Sequence, residues 1–197
     1  SIIGADSRYT VIDPPGSYNT TNLYGIYAIN KSQLKIQNLK ITSCYDGIYW
    51  DNVDTSYIND VYIETSGLSS MRGGIYLTTG SNSNTISNCY FDRNWFGIYL
   101  NSSSVNNFIS NNILSSNSNG GIYIISSSNN NYIINNYCFG SVGHAIWVAT
   151  SSNSCVISNN YCTGNNGYGI IINGSLYSQI SNNITSNNIS YGIYLTT

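Results

Sequence analysis

Apolar residues along this chain fall into short runs of period two, separated by turns rich in Asn, Ser and Thr, and the runs recur at a near-constant step. The tetrapeptide Gly-Ile-Tyr-Leu at 97–100 sets the register. Aligned on its glycine, the repeats start at Gly25, Gly47, Gly74, Gly97, Gly121, Ala145, Gly169 and Gly192, with steps of 22, 27, 23, 24, 24, 24 and 23 residues. The following residue is Ile in all eight, from Ile26 to Ile193, and two positions beyond it stand Ala28, Trp50, Leu77, Leu100, Ile124, Val148, Ile172 and Leu195. That alternation places both columns on one face of a strand, and β-branched Ile favours the extended state. A second all-Ile column follows at Ile36, Ile58, Ile86, Ile109, Ile133, Ile157 and Ile180. Two residues further come Asn38, Asp60, Asn88, Asn111, Asn135, Asn159 and Asn182, a polar column that the period-two pattern points inward, where stacked amides bond one another from coil to coil.

A fixed period of 20–50 residues marks a repeat architecture. This one is shorter than the roughly 40 residues of a propeller blade, and its Gly, Asn, Ser and β-branched content excludes a helical repeat. The pattern predicts one all-β domain over 1–197. It is a single-stranded parallel β-helix of about eight coils of ~24 residues, with 1–24 an incomplete first coil. Successive coils should stack about 4.8 Å apart. The long step between Gly47 and Gly74 places an inserted loop in "ETSGLSSMRGG". Trp50 stands between Ala28 and Leu77 of adjacent coils, so a large residue alternates with smaller ones.

"GIYL" followed by "NNFISNNIL", and the opening "IIGADSRYTVID", resemble the parallel β-helix repeats of the NosD-like and pectate-lyase-like carbohydrate-binding and sugar-hydrolase group. The resemblance implies a right-handed helix and extends over almost the whole chain. It implies little about activity, because that fold carries lyases, hydrolases, epimerases, adhesins and inert scaffolds. The group's GHG, RIK and DPH catalytic motifs are absent from this sequence. NosD is associated with copper, but one Met and one His supply few of the ligands copper prefers.

Charge narrows the picture. All six Lys and Arg and all eight Asp and Glu lie between Asp6 and Arg93, so the second half has none. Nucleic acid is excluded as a partner, since phosphates need basic side chains. No apolar run reaches the roughly 18 residues of a membrane span. Few titrating groups suit an extracellular or cell-surface life in acid. Asn-x-Ser/Thr acceptors for glycosylation occur at Asn19, Asn30, Asn101, Asn173, Asn183 and Asn188.

Candidate chemistry is sparse. Five of the eight acids lie between Asp46 and Glu64. Asp46 and Asp51 bracket one strand as a candidate acid and base, with Arg72 and Arg93 beyond. Asp51, Asp54 and Asp60 also read as turn and ladder residues, and "DNVD" is a calcium candidate. His144 takes a corner slot that elsewhere holds Tyr24, Phe96, Tyr168 or Tyr191. Cys138 and Cys162 occupy equivalent places in successive coils, either as stacked free thiols or as a disulfide. The outward column Tyr27, Tyr49, Tyr76, Tyr99, Tyr123, Trp147, Ile171 and Tyr194 is aromatic at seven of eight positions, with a shallow trough expected beside each glycine. Such a strip packs on itself, binds glycans, or joins copies of the chain.

Repeats run to the last residues without a polar cap, so either the sequence is a segment of a longer chain or its ends meet other copies by self-association, including head-to-tail stacking. Together these features favour a non-enzymatic extracellular structural or adhesive module, a fibre or filament component. The alternative is a glycan-binding or glycan-active domain that uses the tyrosine ladder and the acids near Asp46–Glu64.

Overall fold

The computed structural model describes residues 1–5, 10–14, 23–64 and 73–197. The inserted loop, Asn19 and Arg72 lie outside these residues. The Gly-Ile-Tyr strands form one eight-stranded sheet in coil order, from Tyr24–Ser32 to Ile193–Thr196. Eight such strands delimit seven complete turns. All pairings in this sheet are parallel and in register, with Ile26, Ile48, Ile75, Ile98, Ile122, Ile146, Ile170 and Ile193 aligned coil over coil.

The second sheet holds two rows that meet at a corner. The leading row is Thr85–Ser87, Phe108–Ser110, Tyr132–Ile134, Val156–Ser158 and Gln179–Ser181. The trailing row is Tyr90–Asp92, Ile113–Ser115, Tyr137–Phe139, Tyr161–Thr163 and Ile184–Ser186. Strand Tyr57–Glu64 is long enough to pair with both rows, and Lys35–Thr42 lies beneath it. The three rows enclose one continuous apolar core that contains both Ile columns and Trp50. Each Ile it buries contributes about 1.5–3 kcal/mol. Ala28 and Leu77 pair with Trp50 as expected from their sizes.

The inward polar column is displaced by one residue from its expected place. Asn88, Asn111, Asn135, Asn159 and Asn182 are exposed and hold φ between 55° and 58°. They break the strand in the left-handed region, where Asn is the best tolerated non-Gly residue. The residue after each corner turns inward instead: Asn112, Asn136, Asn160 and Asn183. Asn136 Oδ1 accepts the Asn112 N–H at 3.0 Å and the Asn112 Nδ2–H at 3.0 Å, while its own Nδ2 donates to the Ile109 carbonyl at 2.9 Å. The remaining corners repeat the device with Asn94, Asn117 and Asn165, with Asn84, Asn107 and Asn131, and with Ser81, Ser104, Ser128, Ser152 and Ser175.

The glycine column also faces inward, so no trough lies outside it. A Cβ on Gly47 would stand 2.5 Å from Ile63 Cγ2 and 2.7 Å from the Gly74 carbonyl oxygen, and one on Gly97 would stand 2.5 Å from Leu114 Cδ2. Glycine is required there by the trailing row's side chains. Ala145 takes this place where the facing column has reached the small Cys138 and Cys162.

Adjacent asparagines should therefore respond oppositely to substitution. Asn136→Ala strands two donors of Asn112 and should cost about 1–3 kcal/mol for each buried group left unpaired. Asn135→Gly keeps the left-handed corner and should change stability by less than about 0.5 kcal/mol. Denaturant midpoints of the two variants check this.

Candidate functional site

The aromatic column of the Gly-Ile-Tyr strands is in register, but much of it is closed. Tyr27 is 52% exposed, whereas Tyr76 and Tyr123 keep only 4% and 2%. Tyr49, Tyr99, Trp147 and Tyr194 are partly exposed, and Ile171 is buried. The cover comes from rings on neighbouring coils: Tyr76 packs between Tyr49 and Tyr99 at 5.1 and 4.9 Å, and Tyr123 packs against Phe96 and Trp147. Phe96 lies 4.9 Å from Tyr99 and 4.4 Å from Tyr123, Tyr24 lies 5.0 Å from Tyr27, and Tyr168 lies 5.0 Å from Tyr194. Tyr123 also donates its hydroxyl to the Asn119 carbonyl at 3.1 Å, and burial pushes its phenol up. As a continuous ligand strip the column is corrected: Tyr76 and Tyr123 are spent on packing, at about 0.5–1.5 kcal/mol for each well-placed ring pair.

His144 belongs to this closed row. It is half-buried, stacks on Tyr123 and Tyr168 at 6.4 and 4.9 Å, and meets Trp147 edge-on. Its Nδ1 accepts the Tyr168 N–H at 3.0 Å, so the neutral ring carries its proton on Nε2. Burial lowers its pKa below 6.5.

Asp46 and Asp51 do not form an acid pair. Asp46 is buried at the start of its strand and Asp51 is partly exposed. Five extended residues separate them by roughly 16 Å, beyond the ~5–9.5 Å of paired glycosidase carboxylates. Asp54 Oδ1 accepts the Asn82 N–H at 2.7 Å, which leaves "DNVD" a structural corner. Among the described residues no three His, Cys, Asp or Glu gather as metal ligands, for calcium or any other ion.

The five cysteines are buried free thiols. Cys138 and Cys162 stack in register. The hydrogen bond between the two thiols, with burial, holds the Cys138 thiol well above its ordinary pKa. Of the acceptors, Asn183 and Asn188 serve the ladders: their Nδ2 atoms donate to the Ile157 and Cys162 carbonyls at 2.8 and 3.0 Å. Asn101 Nδ2 donates to the Tyr76 hydroxyl at 3.0 Å. Those amides are not available to carry a glycan. Asn30 is exposed and Asn173 is half-exposed, so both remain accessible.

A different constellation stands on the trailing row. Lys40, Tyr62 and Tyr90 align on successive coils, followed by Ile113, Tyr137, Tyr161 and Ile184. Tyr62 and Tyr90 stack at 5.1 Å with their planes 4° apart, and Tyr137 meets Tyr161 at 5.2 Å. Ile113, Tyr137, Tyr161 and Ile184 are 38%, 38%, 40% and 56% exposed. The residue three before each member of the strip is mostly a serine, such as Ser87 before Tyr90 and Ser158 before Tyr161, with Ile134 before Tyr137, and a left-handed corner residue follows it.

At its head sits a charge cluster. Lys40 Nζ lies 3.4 Å from Glu64 Oε2 and 4.7 Å from the Tyr62 ring centre. Arg93, in the left-handed region, pairs with Glu64 and places Nε 3.2 Å from Asp92 Oδ2. Tyr62 donates to Glu64 Oε2 at 3.4 Å. Burial first, then Glu64, Asp92 and Tyr90, push the Tyr62 phenol up to about 12 against a smaller opposing effect of Arg93. A proton-abstracting base needs a pKa near the working pH, so this phenol acts as a neutral donor. Sequence reading missed the cluster because its members are spread over three coils. The signal was the tyrosine that opens each "YFD", "YCF" and "YCT" tripeptide.

Seven parallel turns around one core define an all-β solenoid, and the family comparison gives its hand. Residues 17–156 match the right handed beta helix region model, and the chain belongs to that family. Residues 128–197 match the model of the periplasmic copper-binding protein NosD. Among solved structures, the alginate lyase from Paenibacillus sp. str. FPU-7 is similar, with a TM-score of 0.65 and 14% identity over 98% of this chain and 82% of that one. At that identity the likeness shows the fold alone. No curated protein matches the chain.

Copper does not fit the residues present. His144 Nδ1 is already an acceptor within a ring stack, and Cys155 is a buried thiol pushed up to about 11. Among the described residues no helix is long and apolar enough to cross a membrane.

Because burial lowers the His144 pKa, its contribution to stability is full above 6.5, the unfolded value, and declines as pH falls through 6.5 toward the folded pKa. Between pH 7.5 and about 5.5 the denaturant midpoint should drop. His144→Asn should show a smaller drop over that interval, even if it is less stable at pH 7.5.

Proposed function

We propose that this protein is an extracytoplasmic, non-catalytic adhesive module that holds a linear polysaccharide along the trailing row. One observation carries the reading: Tyr62, Tyr90, Ile113, Tyr137, Tyr161 and Ile184 form an outward strip parallel to the solenoid axis, one side chain per coil, half-buried at Tyr62 and Tyr90 and exposed from Ile113 onward. A polymer with a short repeat suits a surface with a repeat of about 4.8 Å. Aromatic faces take the apolar faces of sugar rings, and neighbouring hydroxyls and amides take their polar edges. Ser115, Thr163 and Ser186 lie two residues beyond the strip on their strands. The ion-paired cluster with its neutral phenol suits binding better than proton transfer. The Tyr27–Tyr194 column, expected to be the binding face, contributes mainly stability in this reading.

Removing the rings Tyr137 and Tyr161 together should weaken polysaccharide binding about tenfold, the equivalent of ~1.4 kcal/mol. Both are exposed, so Tyr137→Ala/Tyr161→Ala should lower stability by less than about 1 kcal/mol. Retention on a set of immobilised polysaccharides, measured beside thermal unfolding, tests this. Unchanged retention in the folded double variant sinks the proposal.

Self-association, as a fibre or filament component, has a separate observation behind it. On the last coil Ile189, Tyr191, Ile193 and Leu195 are 76%, 62%, 45% and 64% exposed. A further coil covers that edge equally well, whether from this polypeptide or from a second copy stacked head-to-tail. Sedimentation of the chain over a hundredfold concentration range should show growth beyond monomer if copies supply the cover. A constant monomer mass removes this reading.

A further inference from the structure

Resting on the polysaccharide reading, we infer that the ligand is an uncharged glycan and that the trailing row discriminates against polyuronates and other polyanions. Three observations lead there. First, the strip beyond Arg93 crosses the part of the chain, from Asn94 to Thr197, that holds no Asp, Glu, Lys or Arg at all. A carboxylate on each sugar would meet no counter-charge along Ile113, Tyr137, Tyr161 and Ile184. Taking it out of water against apolar rings is unfavourable without a partner.

Second, among the described residues the two cations at the head of the strip, Lys40 and Arg93, are committed. Lys40 Nζ stands 3.4 Å from Glu64 Oε2, and Arg93 pairs with Glu64 and, through Nε at 3.2 Å, with Asp92. Two cations against two carboxylates leave the cluster neutral. Glu64 and Asp92 are the more buried partners, with side chains 18% and 17% exposed against 60% for Arg93. An incoming carboxylate would have to displace one of them or accept its repulsion.

Third, the polar groups flanking the strip are neutral. Ser115 Oγ donates to Asp92 Oδ1 at 3.0 Å, and Ser186 Oγ donates to Thr163 Oγ1 at 3.0 Å. Hydroxyls of this kind exchange hydrogen bonds with sugar hydroxyls and offer no net charge to an acid. Recognition of a polyanion is carried by unpaired basic side chains and weakens steeply with salt. Here stacking and neutral hydrogen bonds remain, and neither is screened. The fold shared with an alginate lyase therefore does not carry that enzyme's ligand over to this surface.

The test uses the full chain in affinity electrophoresis and titration calorimetry. Xylan, mixed-linkage β-glucan, galactan and glucomannan serve as uncharged probes, with alginate and polygalacturonate as polyanions. The expected result is retention by at least one uncharged polymer, lost in Tyr137→Ala/Tyr161→Ala. Affinity should change less than about twofold between about 0.05 and 0.5 M NaCl. Retention by alginate or polygalacturonate that collapses with salt and survives the tyrosine substitutions overturns both this inference and the trailing-row site. Salt-sensitive retention by them that is lost in the double variant overturns the uncharged ligand but leaves the site standing. Retention by none of the six polymers overturns both.

Discussion

The hydrogen bond from each corner's inward backbone N–H to the polar side chain one coil further on is the constraint on which the rest of the molecule depends. Beyond the first coils each turn of the solenoid interrupts its strand ladder where a residue enters the left-handed region, and the next N–H faces the interior. There it needs an acceptor, which Asn Oδ1 or Ser Oγ provides. The acceptor is needed even where the corner residue is apolar: Val53 N–H donates to Ser81 Oγ at 3.1 Å, and Cys89 N–H donates to Asn112 Oδ1 at 2.9 Å. Along most of the solenoid the coil above therefore carries Asn or Ser at the equivalent position; Cys89 and Cys155 take it above Val61 and Asn131. That requirement holds the period near 24 and fills the chain with Asn and Ser.

The columns, the period and the parallel solenoid were legible in the sequence because core Ile recurs with almost no exceptions. The ladder was legible as a mechanism but misplaced by one residue. Period-two alternation predicts that the residue two after an Ile faces the same side. It fails here because Asn111 and its equivalents leave the β region, so the next residue takes the inward place. The doublet Asn111-Asn112, repeated as Asn135-Asn136 and Asn159-Asn160, carried the information: the first Asn tolerates positive φ and the second satisfies the ladder. The glycine column was misread for a related reason. A small residue beside a strand suggests room outside it, whereas only the structure shows that Ile63 and Leu114 fill the space from within.

The candidate site was less legible, since both sheets carry an outward aromatic column and sequence alone ranks the more regular one first. Regularity turned out to oppose availability. On the Gly-Ile-Tyr face an aromatic recurs three residues before the column, as Tyr24 before Tyr27, Phe96 before Tyr99, His144 before Trp147 and Tyr191 before Tyr194. Its ring lies against that column. Yet the two closed tyrosines, Tyr76 and Tyr123, have Gly73 and Gly120 at that offset and are covered by rings of adjacent coils, while the rings of Tyr137 and Tyr161 stay open. Closure is therefore set by side chains that meet across coils and is not readable from the residue at that offset.

Charge distribution extends the same logic to what the open face can hold. Among the described residues, the charges on the trailing row are those of the Lys40, Glu64, Asp92 and Arg93 cluster, and it neutralises itself. Above it the solenoid continues on backbone ladders and neutral amides, which need no counter-ions and create no long-range field. In the proposed reading such a surface takes rings by their spacing and faces, and disfavours charged polymers because it offers them no counter-charge. The outward position of each coil carries no ladder hydrogen bond to the next corner, so its side chain can change without disturbing the corners. Specificity in this chain is therefore set by the few side chains that the ladders do not require.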